Sequence, residues 1–242
     1  MTWSIVARDP ATGQIGIAVA TCAFAVGARV PSIATGVGAV ASQAFTSPYY
    51  GPRGLELLRA GKSAEEVVRI LTTEDEGRGQ RQLHVMDGAH RLAAYTGAEC
   101  VPWCGHLLRE TFSVAGNMLA GPEVIEETAR VFSERGDLPF ARRLLAAMQA
   151  GEATGGDKRG KQSAALLIHD DETYSLLDIR VDDHPDPLTE LCRLERVAGE
   201  RYLHYRKFMP SRANPFGVTD RAEIERGIAR SIADAKAAEG GA

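Results

Sequence analysis

Segments with a two-residue apolar period come in short-connected pairs along this chain, and pairs of helical segments separate them. Residues 2–8 alternate, with Trp3, Ile5 and Ala7 on one side and Thr2, Ser4 and Val6 on the other. Asp9-Pro10-Ala11-Thr12-Gly13 turns the chain, and residues 14–22 return as its apolar antiparallel partner. Residues 37–45 (VGAVASQAF) read as a strand so rich in small and branched residues that it belongs between covering layers. Two helices follow: residues 54–60, after a turn framed by Pro48 and Pro52, and a second that Ser63 and Glu66 cap and that ends near Thr72. Residues 82–87 and 91–96 then pair about Asp87-Gly88, and residues 112–117 give another strand. Helices are expected from Gly121-Pro122-Glu123 to about Arg135 and over residues 138–150. Residues 163–169 and 174–181 form a last strand pair, and a long helix covers residues 187–208.

Single strands do not alternate with single helices here, so the order does not make the repeated βαβ units of a parallel sheet. It suits an α+β fold, a four-layer α/β/β/α sandwich of two antiparallel sheets covered by helices. The expected organisation is one domain over residues 1–208 and a C-terminal helical extension over residues 209–242. The extension has turn residues at Pro210 and Pro215, a capped helix from near Asp220 and a frayed Glu-Gly-Gly-Ala end, and it reads as an appendage suited to a dimer contact.

Composition narrows the partners. A net charge of −4, with basic residues spread along the chain, gives no footprint for nucleic acid. No apolar run approaches the roughly 20 residues of a membrane span, and the start lacks a basic region, apolar core and cleavage site. The expectation is a cytoplasmic chain with no nucleic-acid or membrane partner. Its four cysteines, Cys22, Cys100, Cys104 and Cys192, are too few for a disulfide scaffold and suit a reducing compartment. Cys100, Cys104 and His106 offer three zinc ligands, but no fourth follows at a recognisable spacing, and a turn on Pro102 and Gly105 accounts for them as well. Neither a metal nor a cofactor is expected. The histidines fit no metal or nucleophile pattern, and the glycines near Lys158 and Lys161 lack phosphate-loop spacing.

Thr2 is the residue with the clearest chemistry. A small residue at position 2 is compatible with removal of Met1, which would give Thr2 both a hydroxyl nucleophile and an α-amine whose ordinary pKa of about 7.7–8.0 lets it take that proton. Three polar islands at strand ends supply further candidates. In residues 42–48, Gln43 is either a satisfied core amide or a donor aimed into a site. In residues 116–122, Asn117 and the backbone N–H groups of the helix start could hold an oxyanion, or Asn117 could simply be a turn residue. In residues 155–163, Asp157 could orient a catalytic group, Arg159 or Lys158 could capture a carboxylate, and Ser163 could bond the Thr2 amine; the alternative is a solvated loop. The acidic turn of residues 182–187 reads as a helix stop with Asp186 as a cap.

Thr2-Trp3-Ser4-Ile5-Val6-Ala7-Arg8-Asp9, VGAVASQAF, YGPRGLELL, GNMLAGPEV, GGDKRGKQSAALL and RVDDHPDP, in that order, resemble a bacterial and archaeal Ntn-hydrolase-like family of unknown function. The resemblance runs from Met1 to about Leu194 and implies the four-layer sandwich of that superfamily. It implies a threonine nucleophile by matching Thr2, and it marks Gln43, Asn117, Asp157, Arg159 and Ser163 as site-lining without assigning their roles. Superfamily members mostly cleave amides through an acyl-enzyme, which water or an amine resolves, without metal or organic cofactor. The function so implied is an N-terminal-nucleophile amidohydrolase of a small-molecule amide. Arg159, Arg29 and Lys158 point to an anionic substrate. The alternatives are a glutamyl-type acyltransferase on the same nucleophile, or, with Met1 retained, a catalytically silent protein that binds a small ligand or assembles. A homo-oligomer, a dimer, is expected.

Overall fold

The computed structural model describes residues 2–240. Met1, whose removal the threonine chemistry requires, and Gly241 and Ala242 of the expected frayed end lie outside the described residues. In chain order the strands are β1 (Thr2–Arg8), β2 (Ile15–Thr21), β3 (Pro31–Ala34), β4 (Gly38–Ala44), β5 (Arg81–Asp87), β6 (Leu92–Thr96), β7 (Gly105–Leu108), β8 (Phe112–Asn117), β9 (Ser163–His169) and β10 (Leu177–Val181). They form two antiparallel sheets, one of six strands ordered β10-β9-β2-β1-β8-β7 and one of four ordered β3-β4-β5-β6. Helices α1 (Tyr50–Arg59) and α2 (Ala64–Thr73) cover the smaller sheet, while α3 (Glu123–Glu134) and α4 (Phe140–Ala153) cover the larger. The result is the four-layer α/β/β/α sandwich that the order of elements predicts.

Each central strand is buried on both faces, because one face meets helices and the other meets the opposite sheet. Val6, Ile17, Val19, Ala39, Ala41, Met86 and Ala165 fill the space between the sheets. Val40, Leu83 and Val85 point the other way, into Leu55, Leu58, Val67 and Leu71 of α1 and α2. On the larger sheet Phe112 meets Phe132 of α3, with ring centroids 4.8 Å apart. Close approach of α4 to β2 depends on Gly16, where an added Cβ would lie 2.7 Å from Leu144 Cδ1.

Several boundaries differ from expectation for local reasons. Helix α1 begins at Tyr50, so Pro52 sits in its first turn, where its missing N–H costs no helical bond. The edge strands β3 and β7 are four residues each and only partly buried, too short for a period-two pattern to stand out. Strand β10 starts at Leu177, not at residue 174. The expected long helix runs as α5 (Pro187–Val197), then a π-helical segment (Ala198–Tyr202) that contains Gly199, then shorter helical turns to Phe208. The chain divides into compact units of residues 1–192 and 193–242. The second ends in the helix Arg221–Gly240, to which Arg201 is joined by an ion pair with Glu225 at 2.7 Å. Among the described residues no helix is long and apolar enough to cross a membrane.

The cap of α2 forms as its spacing predicts. Ser63 Oγ accepts from the Glu66 N–H at 3.2 Å, and the Glu66 carboxylate accepts from the Ser63 N–H at 2.9 Å. Replacing Ser63 by Ala should lower stability by about 0.5–2 kcal/mol. A urea titration would show this as a lower midpoint at unchanged slope; an unaltered midpoint would mean that the cap contributes nothing.

Candidate active site at the open end of the sandwich

Antiparallel register sets Thr2 opposite Asn117 of β8 and Thr21 opposite Ser163 of β9. Trp3 lies opposite Ala20, which brings Thr2 beside Thr21, and Thr2 Oγ1 donates to Thr21 Oγ1 at 3.2 Å. One rung of the larger sheet therefore carries Asn117, Thr2, Thr21 and Ser163 on four neighbouring strands, all facing the smaller sheet. At this end of the sandwich a cavity of about 530 Å³ opens, lined by Thr2, Thr21, Ala23, Phe24, Val26, Arg29, Val30, Ala44, Phe45, Thr46, Pro48 and Arg159. Ala44 takes the left-handed φ of 69° as β4 ends, and the next residue, Phe45, is 68% exposed at the mouth. The Arg81 guanidinium lies 5.2 Å from the Phe45 ring centre and also donates to the Phe45 carbonyl.

Behind Thr2 the two sheets are joined by buried polar side chains. Gln43 is fully buried; its amide nitrogen donates to Gln82 Oε1 at 2.9 Å, the Ala115 carbonyl at 3.1 Å and the Thr2 carbonyl at 3.4 Å. Asn117 Nδ2 donates to Gln82 Oε1 at 3.0 Å and to the same Thr2 carbonyl at 3.3 Å. Gln82 in turn donates to Thr96 Oγ1, the Gly105 carbonyl and the Gly116 carbonyl. Ser4 Oγ donates to Gln43 Oε1 at 2.6 Å, so the contact between Ser4 Oγ and His84 Nε2 at 2.9 Å requires the imidazole to be the donor. His84 Nδ1 then accepts from Ser113 Oγ at 2.7 Å. Both ring nitrogens are satisfied in the neutral form, and burial, with His106 nearby, pushes the His84 pKa down to about 3.

The glycine-rich segment builds the far wall. Asp157, with 1% of its side chain exposed, accepts from the Cys22 N–H at 2.8 Å and from the Arg159 N–H, two residues on, at 2.9 Å. The Arg159 guanidinium pairs with it at 3.2 Å. Ser163 Oγ donates to the Ala23 carbonyl at 2.5 Å and accepts from the Val26 N–H at 3.1 Å. These contacts pin the loop that carries Phe24 beside Thr2.

The structure thus brings Thr2, Arg29 and Arg159 into one cavity and gives other expected residues different work. Gln43 is the satisfied amide between the sheets and does not line the cavity. Asn117 directs its amide nitrogen to the Thr2 carbonyl and to Gln82 Oε1. Ser163 holds the loop of residues 22–26 through its hydroxyl. Lys158 turns away, donating to the Pro102 carbonyl at 2.8 Å. Sequence reading missed Thr21, Phe24 and Phe45. Only the pairing register, a non-local property, places Thr21 at 3.2 Å from Thr2. Cys100 Sγ and Cys104 Sγ face carbonyls, and His106 Nδ1 faces Thr96 Oγ1 at 2.9 Å. Among the described residues no group of three or more His, Cys, Asp or Glu is arranged to hold a metal ion.

A family model described as a family of unknown function (DUF1028) matches residues 2–191. A crystal structure of a protein from Silicibacter pomeroyi, assigned to that same family, is similar at 35% identity and a TM-score of 0.84, covering 90% of this chain and 99% of its own. Anbu (ancestral beta-subunit) from Yersinia bercovieri is more remote, at 12% identity and a TM-score of 0.39 over 86% of this chain and 98% of its own. No curated protein matches the chain.

The depressed His84 pKa fixes the sign of one pH effect. Folded His84 stays neutral down to about 3, while in the unfolded chain it titrates near 6.5, so between these values the unfolded state binds the extra proton. Stability from this group is present above the unfolded value and lost as pH falls through the window, at up to about 1.4 kcal/mol per pH unit. NMR of the folded protein should show no titration of the His84 ring between about pH 8 and about pH 5; an ordinary histidine titration curve there would contradict the buried neutral assignment.

Proposed function

The chain belongs to the family of unknown function DUF1028, and on that premise we propose that it is an N-terminal-nucleophile amidohydrolase that cleaves a small-molecule amide through Thr2 after loss of Met1. The observation that carries this reading is the position of Thr2. The residue lines a cavity of about 530 Å³, inside the range of roughly 300–1,000 Å³ usual for small-molecule sites. Its carbonyl is fixed by the Gln43 and Asn117 amides. In the proposed mechanism Thr2 Oγ1, oriented by Thr21, attacks the substrate carbonyl while the Thr2 α-amine accepts its proton. Backbone N–H groups bordering the cavity stabilise the oxyanion. The amine product leaves with that proton, and water hydrolyses the acyl-threonine ester. Asp157 and Ser163 act at one remove, holding the cavity wall in place.

Intact-mass measurement should find the chain without Met1, and Thr2→Ala should retain the fold while losing at least about a thousandfold in turnover of any amide the wild type cleaves. The base must be unprotonated to act, so kcat/KM should rise with pH through the ordinary α-amine range of about 7.7–8.0. A retained methionine, or full activity in Thr2→Ala, would sink the proposal. An added amine that captures the acyl group faster than water would move it to acyl transfer on the same residue.

A further inference from the structure

We infer that the substrate is an N-acyl amino acid with an apolar acyl group and a single carboxylate; this rests on Thr2 as the nucleophile and adds the identity of what it attacks. The cavity lining carries two charged side chains, Arg29 and Arg159, and no acid. Their situations differ. Arg159 already faces a carboxylate, that of Asp157, held at 3.2 Å and 1% exposed. Arg29 is exposed and follows the short helix Val26–Ala28; its backbone N–H donates to the Val26 carbonyl, and its side chain has no ion-pair or hydrogen-bond partner among the described residues. The site therefore presents one uncompensated guanidinium, and a guanidinium's planar fork matches one carboxylate.

Charge also says what does not fit. A dicarboxylate or a phosphate dianion would need Arg159 as well. Taking it would leave the Asp157 carboxylate buried with only the Cys22 and Arg159 N–H groups, and uncovering a buried charge in that way is costly. A neutral amide would leave Arg29 unmatched. Phe24 and Phe45 stand 57% and 68% exposed on the cavity rim. Phe24 lies on the loop that Ser163 ties down at Ala23 and Val26, and the Phe45 ring lies 5.2 Å from the Arg81 guanidinium. Two exposed rings at the rim of the cavity offer contact to an apolar acyl chain. With the carboxylate on Arg29 and the acyl group on the rings, the amide of an N-acyl amino acid lies between them. Attack forms the Thr2 Oγ–acyl bond and breaks the C–N bond; the amino acid leaves with the proton taken from the hydroxyl, and water then releases the apolar carboxylic acid and restores Thr2.

Calorimetric binding to the Thr2→Ala variant separates this inference from the chemistry. N-phenylacetylglycine should bind about tenfold or more tightly than N-phenylacetylglycinamide, which lacks only the charge. Adding Arg29→Gln should bring that ratio close to one, and Arg29→Lys should keep part of it. Equal binding of the two compounds, no binding of either, or a preference that survives Arg29→Gln overturns the inference. Turnover by the wild type reports separately on Thr2. Carboxylate preference without turnover leaves the ligand class standing and sinks the nucleophile; turnover without that preference does the reverse.

Discussion

The Thr2 carbonyl accepts from two side-chain amides, Gln43 from the smaller sheet and Asn117 from the larger. Neither amide is free to do this alone, because each also donates to Gln82, whose own amide is committed to three acceptors across β6, β7 and β8. Polar groups sealed between two sheets are costly unless every donor and acceptor is matched, and a matched set permits few alternative arrangements. That requirement locks the start of β1 against both sheets. A hydroxyl on a residue so held has little freedom beyond its own rotamer, which is the preorganisation a nucleophile needs.

The cavity wall follows the same logic on the other side of Thr2. Loops between strands are the mobile parts of most folds. Here the loop after β2 is tied at Cys22 by Asp157 and at Ala23 and Val26 by Ser163, groups that lie more than a hundred positions later in the chain. Gly155 and Gly156 adopt left-handed φ of 115° and 47°, conformations a side chain disfavours, and so let that late segment close over the start of the chain. Asp157 thereby serves geometry and charge together: it fixes the loop and it pairs with Arg159, which leaves Arg29 as the unpaired guanidinium of the cavity lining.

What the sequence disclosed and what it withheld divide along the range of the interaction. Strand β1, the VGAVASQAF strand and the Ser63–Glu66 cap are local patterns, and all three stand where their spacing predicts. The four-layer order was legible because hairpins and helix pairs are short-range units. The short edge strands β3 and β7 were not, since four half-exposed residues carry too little periodicity. Among the site residues, type and neighbourhood were readable while direction was not. Lys158 and Arg159 are adjacent, yet one donates to Pro102 and the other lines the cavity. Ser163 and Thr21 share a rung that only the pairing of β2 with β9 creates.

The position of β1 also bears on how the proposed chemistry would be switched on. It lies inside the larger sheet, paired with β2 and with β8 from its first residues, and Thr2 is 6% exposed. On the proposed mechanism the α-amine that loss of Met1 frees belongs to the first residue of a strand already held by pairing on both sides, to β2 and to β8. Once the sheet closes, the amides that hold the Thr2 carbonyl act on the far side of the residue from the cleaved bond. The freed amine then meets a hydroxyl whose place the fold has already fixed.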